Sequence, residues 1–149
     1  MPKFTLHKRS IARIAAIQSL YQMHMLQQSK DQVLSDFKAH FEADLLEDVQ
    51  SKKYDKDFFA KLLKGVSHHL KELDPFIRAA LPEDWALERL DIVLLCIMRA
   101  GAFELWQHPE TDSAVIINEY LNVTHAFYDE KEPGFVNGVL HKISTSVRG

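Results

Sequence analysis

Phe135-Val136-Asn137-Gly138-Val139-Leu140 admits two readings, and the choice between them decides the fold. Asn-Gly between apolar pairs is a strong hairpin signal, because both residues tolerate the left-handed backbone of a tight primed turn. The flanking strands would be very short, however, and no other strand candidate exists to pair with them. Phe135, Val136, Val139, Leu140 and Ile143 also fall at helical steps. Pro133 stands where such a helix would begin, a position that tolerates a missing N–H. The helical reading prevails, and the rest of the chain agrees with it.

Working back from that segment, Asp112 or Ser113 can cap a helix through Val115, Ile116, Leu121, Val123 and Phe127. His108-Pro109 ends the most apolar stretch, Trp85 to Trp106, whose width predicts a central helix covered on most sides. Asp74-Pro75 predicts a kink or a new helix start, since a residue before proline avoids helical geometry, and Pro82 closes that short piece. Asp55 or Asp57 can cap a helix running through Phe58, Phe59, Leu62, Leu63, Val66 and Leu70. A further helix is expected from Asp31 to about Val49. The first runs from about His7 to Gln28, with Ile11, Ile14, Ala15, Ile17, Leu20, Tyr21 and Met25 at helical spacing. The fold class is therefore all-α, with about seven helices, and the 149 residues form one domain without repeat, low-complexity tract or linker.

Composition narrows the function. A hydrophobic fraction of 46% is ample for a core. The single thiol, Cys96, excludes an intrachain disulfide framework and a cysteine-based zinc motif, and its apolar neighbours predict a buried, inert group. The longest apolar run, Ile92 to Met98, falls far short of the ~20 residues that span a bilayer. With no apolar run behind Lys8 and Arg9 to make a signal peptide, a cytoplasmic location is expected. Eight histidines raise the question of a metal, but His68 and His69 are adjacent and so diverge on a helix, and the others lie singly. No phosphate-binding glycine loop or nucleophile elbow is present. Glu83, Asp84, Glu88 and Asp91 surround Trp85, where helix-start charge and solvation account for them without catalysis. The chain reads as non-enzymatic, with no cofactor and no metal.

Charge is distributed unevenly. The net charge of -3 combines +5 over residues 1–30, which hold no acid, with +2 over 133–149 and -10 in between. A basic segment at about residues 1–9 leads into Arg9 and Arg13, an i, i+4 pair whose guanidinium groups can face one way. Arginine suits phosphate because its planar fork donates two hydrogen bonds at once, and it can stack on bases. No acid lies nearby in sequence. The alternative is a solubilising helix start, although cations there oppose the helix dipole, which favours the functional reading.

Several blocks, in order, resemble the NusB family of bacterial transcription antitermination factors. They are Lys8-Arg9-Ser10-Ile11-Ala12-Arg13 with Leu20-Tyr21-Gln22; Leu62-Leu63-Lys64-Gly65-Val66 with His69 and Leu73-Asp74; and Trp85-Ala86-Leu87-Glu88-Arg89-Leu90 with Met98-Arg99-Ala100 and Phe103-Glu104-Leu105. Val115-Ile116-Ile117-Asn118-Glu119 and Phe135 to Leu140 complete the set. Each block is weak alone; the ordered set is specific. The resemblance implies two packed three-helix-like subdomains. It implies a factor that binds single-stranded boxA RNA together with the tenth small-subunit ribosomal protein, within an antitermination complex on RNA polymerase that serves ribosomal RNA transcription. Matching positions make Lys8, Arg9 and Arg13 contacts to phosphate or base. Tyr21 is either an RNA neighbour or a core residue, Phe135 and Asn137 stack on and hydrogen-bond to an unstacked base, and Glu88 meets the basic ribosomal partner.

Two departures from the family pattern stand out. Ser10 and Ile11 occupy places where the family often has arginine, which predicts weaker RNA binding alone and a shallower salt dependence. Leu94 and Leu95 replace an acidic and a basic residue; they either pack within the fold or belong to an exposed apolar dimer patch. The competing function is a helical homodimeric scaffold whose basic ends serve only solubility. A third possibility, the helical domain of RNA cytosine methyltransferases, is disfavoured because no catalytic part is present here.

Overall fold

The computed structural model describes residues 7–27, 29, 31–32, 34–35, 54–129 and 131–149, and among them the regular secondary structure is helical. Six α-helices are present among these residues: α1 Lys8–Leu26, α2 Lys56–His68, α3 Leu70–Ala80, α4 Ile92–Gln107, α5 Ser113–Phe127 and α6 Glu132–Arg148. A 3-10 turn covers Leu87–Arg89. The helix expected from Asp31 to Val49 lies largely outside the described residues. The chain divides into two compact units, Met1–Lys64 and Gly65–Gly149, the division falling within α2.

In the first unit, α1 buries Ala12, Ala15, Ala16, Ile17 and Leu20. Three alanines on that face remove bulk, so a neighbour can approach the backbone closely at little side-chain entropy cost. The helix stops at Gln27, which takes a left-handed conformation at φ 53°; a non-glycine residue tolerates this as a single-residue helix stop. Asp55 supplies the cap of α2: the Phe58 N–H donates to its Oδ1 at 2.9 Å. Of the two caps the sequence allowed, Asp55 is the one used. The Asp55 N–H also donates to the Lys8 carbonyl at 3.2 Å, tying the entrance of α2 to that of α1.

In the second unit, α4 is the central element. It packs against α3, α5 and α6, and α6 packs in turn against α3 and α5. Leu95, Cys96, Ile97, Met98, Ala100, Ala102 and Leu105 are all buried, so the helix is covered on several sides as its composition predicts. Leu94 and Leu95 are 8% and 3% exposed, which resolves their alternatives in favour of packing within the fold. Phe135-Val136-Asn137-Gly138-Val139-Leu140 lies inside α6, with Pro133 in its first turn. Val136, Val139, Leu140 and Ile143 form its buried stripe.

Two sequence expectations fail locally. The helix expected to begin at Trp85 begins at Ile92. Leu87 and Leu90 reach the core from the 3-10 turn and its exit, and Asp91 stands in extended geometry as the cap residue of α4. Asp74-Pro75 does not break the chain, since α3 runs through Pro75 and buries Leu73, Ile77 and Ala80 around it. The interruption is instead at His69, whose Nδ1 lies 2.8 Å from the Gly65 carbonyl oxygen. Tertiary contacts explain the difference. Arg99 of α4 donates to both carboxylate oxygens of Asp74 at 2.8 and 2.9 Å, holding the residue before the proline in place. Such a fork pairing fixes orientation as well as charge.

Candidate nucleic-acid interface

The first unit carries a cationic helix start built on an aromatic ring. Lys8 and Arg9 open α1 without an acidic residue in its first turn. The Cζ atoms of Arg9 and Arg13 each lie 4.8 Å from the centroid of the Phe58 ring, within the range where a guanidinium is attracted to an aromatic face. The i, i+4 pair thus shares one direction, as its spacing predicts. The two side chains differ in access: that of Arg9 is 62% exposed, whereas Arg13 is 6% exposed. Lys8 and His7 are exposed. Tyr21 is 38% exposed, which places it at the surface rather than in the core.

The absence of a nearby acid in sequence does not survive folding. The Arg9 Nε–H donates to Asp55 Oδ2 at 3.4 Å. The Phe58 N–H, followed by Arg9 and Lys8, holds the Asp55 carboxyl below its ordinary range against the opposing effect of burial. One carboxylate therefore caps α2 and partly offsets the charge of Arg9. Sequence reasoning assigned Asp55 to capping alone and Phe58 to the core. Their second role depends on a contact between distant stretches of chain, for which no local pattern exists.

The second unit holds Phe135, Asn137 and Glu88. Phe135 is half-buried on α6 and stacks on Trp85, with ring centroids 5.0 Å apart and an interplanar angle of 28°. Trp85 is itself 51% exposed, a large aromatic surface facing solvent. Asn137 is half-buried further along the same helix. Glu88 lies on the exposed 3-10 turn and takes a two-pronged pairing from Arg78, whose Nη1–H donates to Oε1 at 3.2 Å and whose Nη2–H donates to Oε2. That pairing holds the Glu88 carboxyl below its ordinary range. Within the fold its partner is Arg78, a pairing the sequence alone did not indicate. Among the described residues, no group of three His, Cys, Asp or Glu side chains is gathered as metal ligands would be.

A small all-helical protein presenting exposed cations on an aromatic support, and an exposed aromatic pair elsewhere, belongs to the class of helical binding factors. This chain is a member of the NusB family, whose model matches residues 10–145. It is 40% identical over 148 residues to the transcription antitermination protein NusB of Rhizobium rhizogenes, covering 99% of this chain and 92% of that protein. The corresponding protein of Novosphingobium aromaticivorans is 41% identical over 140 residues, with 94% and 95% covered. Among solved structures, T. maritima NusB superposes with a TM-score of 0.73 at 25% identity, covering 92% of this chain and 90% of that one. A chain from a crystal structure of the antitermination factors NusB and NusE in complex with dsRNA gives the same TM-score and identity, covering 92% and 96%. The resemblance seen in the sequence blocks is thereby established as family membership, and transcription antitermination is the function it carries.

Proposed function

We propose that this chain acts in antitermination by binding boxA-like single-stranded RNA together with the tenth small-subunit ribosomal protein, within the antitermination complex on RNA polymerase during ribosomal RNA transcription. The observation that carries this reading is the solvent-facing cationic start of α1, where Lys8 and Arg9 stand on the Phe58 support. In this reading they contact phosphate. Arg13 contributes its field and the small part of its surface left open, and Tyr21 offers a ring or hydroxyl. Phe135 and Asn137 serve a base by stacking and hydrogen bonding, and Glu88, with Arg78, faces the basic ribosomal partner. The whole chain works as one RNA-binding domain, in the cytoplasm and without catalysing a reaction. No helix among the described residues is long and apolar enough to cross a membrane.

The test is titration of labelled boxA-like RNA against a scrambled control, with and without the ribosomal partner, at several salt concentrations. Preference for boxA, strengthened by the partner and reduced in Arg9→Ala, is the expected result. The slope of log affinity against log salt reports phosphate contacts, at about 0.7 per neutralised charge on single strands. Equal, weak binding of both RNAs under every condition would remove sequence-specific recognition and leave the scaffold role.

A further inference from the structure

α6 is held unequally along its length. Toward its end Val139, Leu140 and Ile143 are buried, and the Ser144 hydroxyl donates to Ser113 Oγ at 2.7 Å. The Arg148 guanidinium grips the carbonyls of Leu105, His108 and Thr111. The start is built differently. α4 and α5 begin after Asp91 and Asp112, carboxylates that suit the positive end of a helix, whereas α6 begins after the cation Lys131, with Glu132 as the acid of its first turn. The Phe135 N–H reaches the Lys131 carbonyl at 3.3 Å. Gly134, Asn137 and Gly138 follow, all poorer helix formers than alanine and the glycines most of all.

Nothing in the fold requires those two glycines. Both are exposed, an added Cβ would meet nothing within 4 Å, and neither has a positive φ. Gly65 and Gly101, by contrast, are crowded by Phe103 and Leu140. A helical glycine with no packing or backbone reason lowers the stability of the formed helix, because the opened chain has more freedom. The start is held instead by Val136, which is fully buried, and by the Phe135 ring, stacked at 5.0 Å on the half-exposed Trp85. Phe135 and Asn137 are also the residues that serve a base in the function proposed above. Recognition groups thus stand on the poorest helix-forming part of a helix whose other end is pinned. We propose that residues 133–138 are a locally opening start of α6 that RNA closes. In the free chain an opened minority has Phe135 off Trp85, and a base held by Phe135 and Asn137 selects the closed helix. The inference rests on the RNA role given to those two residues. Closing draws on the interaction with RNA, so the RNA is held less tightly than by a fully formed helix.

Amide hydrogen exchange of the full chain, read residue by residue by NMR, tests this, after titration with boxA-like RNA has established binding. In the free chain the amides of residues 136–139 should exchange at least about tenfold faster than those of residues 142–146 in the same helix. Equal protection would overturn the opening. Saturating RNA should raise protection at 136–139 by a larger factor than at 142–146. An equal or absent gain, in a chain that binds RNA, would overturn the coupling while leaving the RNA assignment intact. Gly138→Ala, for which the surface has room, should slow exchange at 136–139 about fivefold, the difference in helix propensity between the two residues, and leave 142–146 unchanged. It should keep RNA affinity or raise it by at most the same factor. Gly134→Ala repeats the measurement nearer the helix start, with a smaller effect in the same direction. A loss of RNA affinity in either variant, at unchanged circular dichroism, would make the glycines a surface that RNA touches and would overturn the inference. If the parent chain binds no RNA, the titration shows it before exchange is read, and the role of Phe135 and the coupling fall together.

Discussion

Asp55 offers the sharpest test of the cationic site, because one carboxylate does two separable things. Its Oδ1 caps α2 by accepting the Phe58 N–H at 2.9 Å, and its Oδ2 accepts from Arg9 at 3.4 Å. Asp55→Ala removes both. Loss of a cap costs about 1 kcal/mol, and loss of a largely exposed ion pair adds about 0.5 kcal/mol. At about 2–4 °C per kcal/mol for a chain of this length, the melting temperature should fall by about 3–6 °C. Asp55→Asn keeps a side-chain oxygen for the cap and removes only the charge, so its melting temperature should fall by no more than about 2 °C. RNA binding should move the other way. With its counter-charge gone, Arg9 meets phosphate unopposed, and Asp55→Asn should tighten RNA binding about two- to fivefold at low salt, with a steeper salt dependence. The pH dependence has a definite sign. Because the folded carboxyl titrates below its ordinary value, its contribution is present above the unfolded value near pH 4 and is lost as pH falls through the lower, folded one. Asp55→Asn should therefore flatten the acid limb of the stability profile. Thermal melts by circular dichroism and RNA titration read both effects. Equal destabilisation by Asn and Ala would refute the cap assignment. Unchanged RNA affinity in Asp55→Asn, with Arg9→Ala still weakening binding, would refute the charge argument.

Arg148 and Cys96 provide two further tests. The guanidinium of Arg148 donates to the carbonyls of Leu105, Thr111 and His108 at 2.8, 2.6 and 2.7 Å, closing the end of α4 and the turn after it. Arg148→Ala leaves these acceptors short of partners and should cost about 2–3 kcal/mol, read as a lower urea midpoint at unchanged slope; a midpoint equal to that of the parent would show the cage to be dispensable. Burial pushes the Cys96 thiol up to about 12. Iodoacetamide at about pH 8 should therefore leave it unmodified until denaturant is added, a mass increase in the folded chain being the contrary result.

Helix-forming periodicity and the break at His108-Pro109 were legible in the sequence; the interruptions at His69 and after Trp85 were not. The stripe Val136, Val139, Leu140 and Ile143 outweighed the Asn137-Gly138 turn signal because burial on one face stabilises a helix more than the local preference of two residues opposes it. The same principle worked against the sequence at Pro75, where Leu73, Ile77 and Ala80 carry α3 past a proline that local rules treat as a boundary. Gly65 shows what a block of letters cannot convey: a Cβ there would come within 2.1 Å of Phe103 Cζ. The glycine is required by a ring from a later helix, not by its own backbone geometry. Trp85 is the converse case. Its place in an apolar stretch predicted a helix interior, whereas the 3-10 turn beside it leaves the ring against Phe135 and partly in solvent.

The cationic site shows most clearly why counting charge along a chain misstates a binding surface. Residues 1–30 look uncompensated because all their partners in sequence are neutral or basic. Folding brings Asp55 to Arg9 and covers Arg13, so Lys8 and Arg9 are what the described part of α1 offers to a polyanion, and Arg9 is shared. Two such contacts correspond to a salt slope of about 1.4 at most. Affinity from that source alone is modest, which gives a physical reason for recruitment of a basic partner: it adds charge that the helix start lacks. The stretch from Glu83 to Asp91 has the opposite balance, with four acids against Arg89. Under the proposed function, the cations at the start of α1 therefore serve RNA only in part, and the remaining positive charge has to come from the partner.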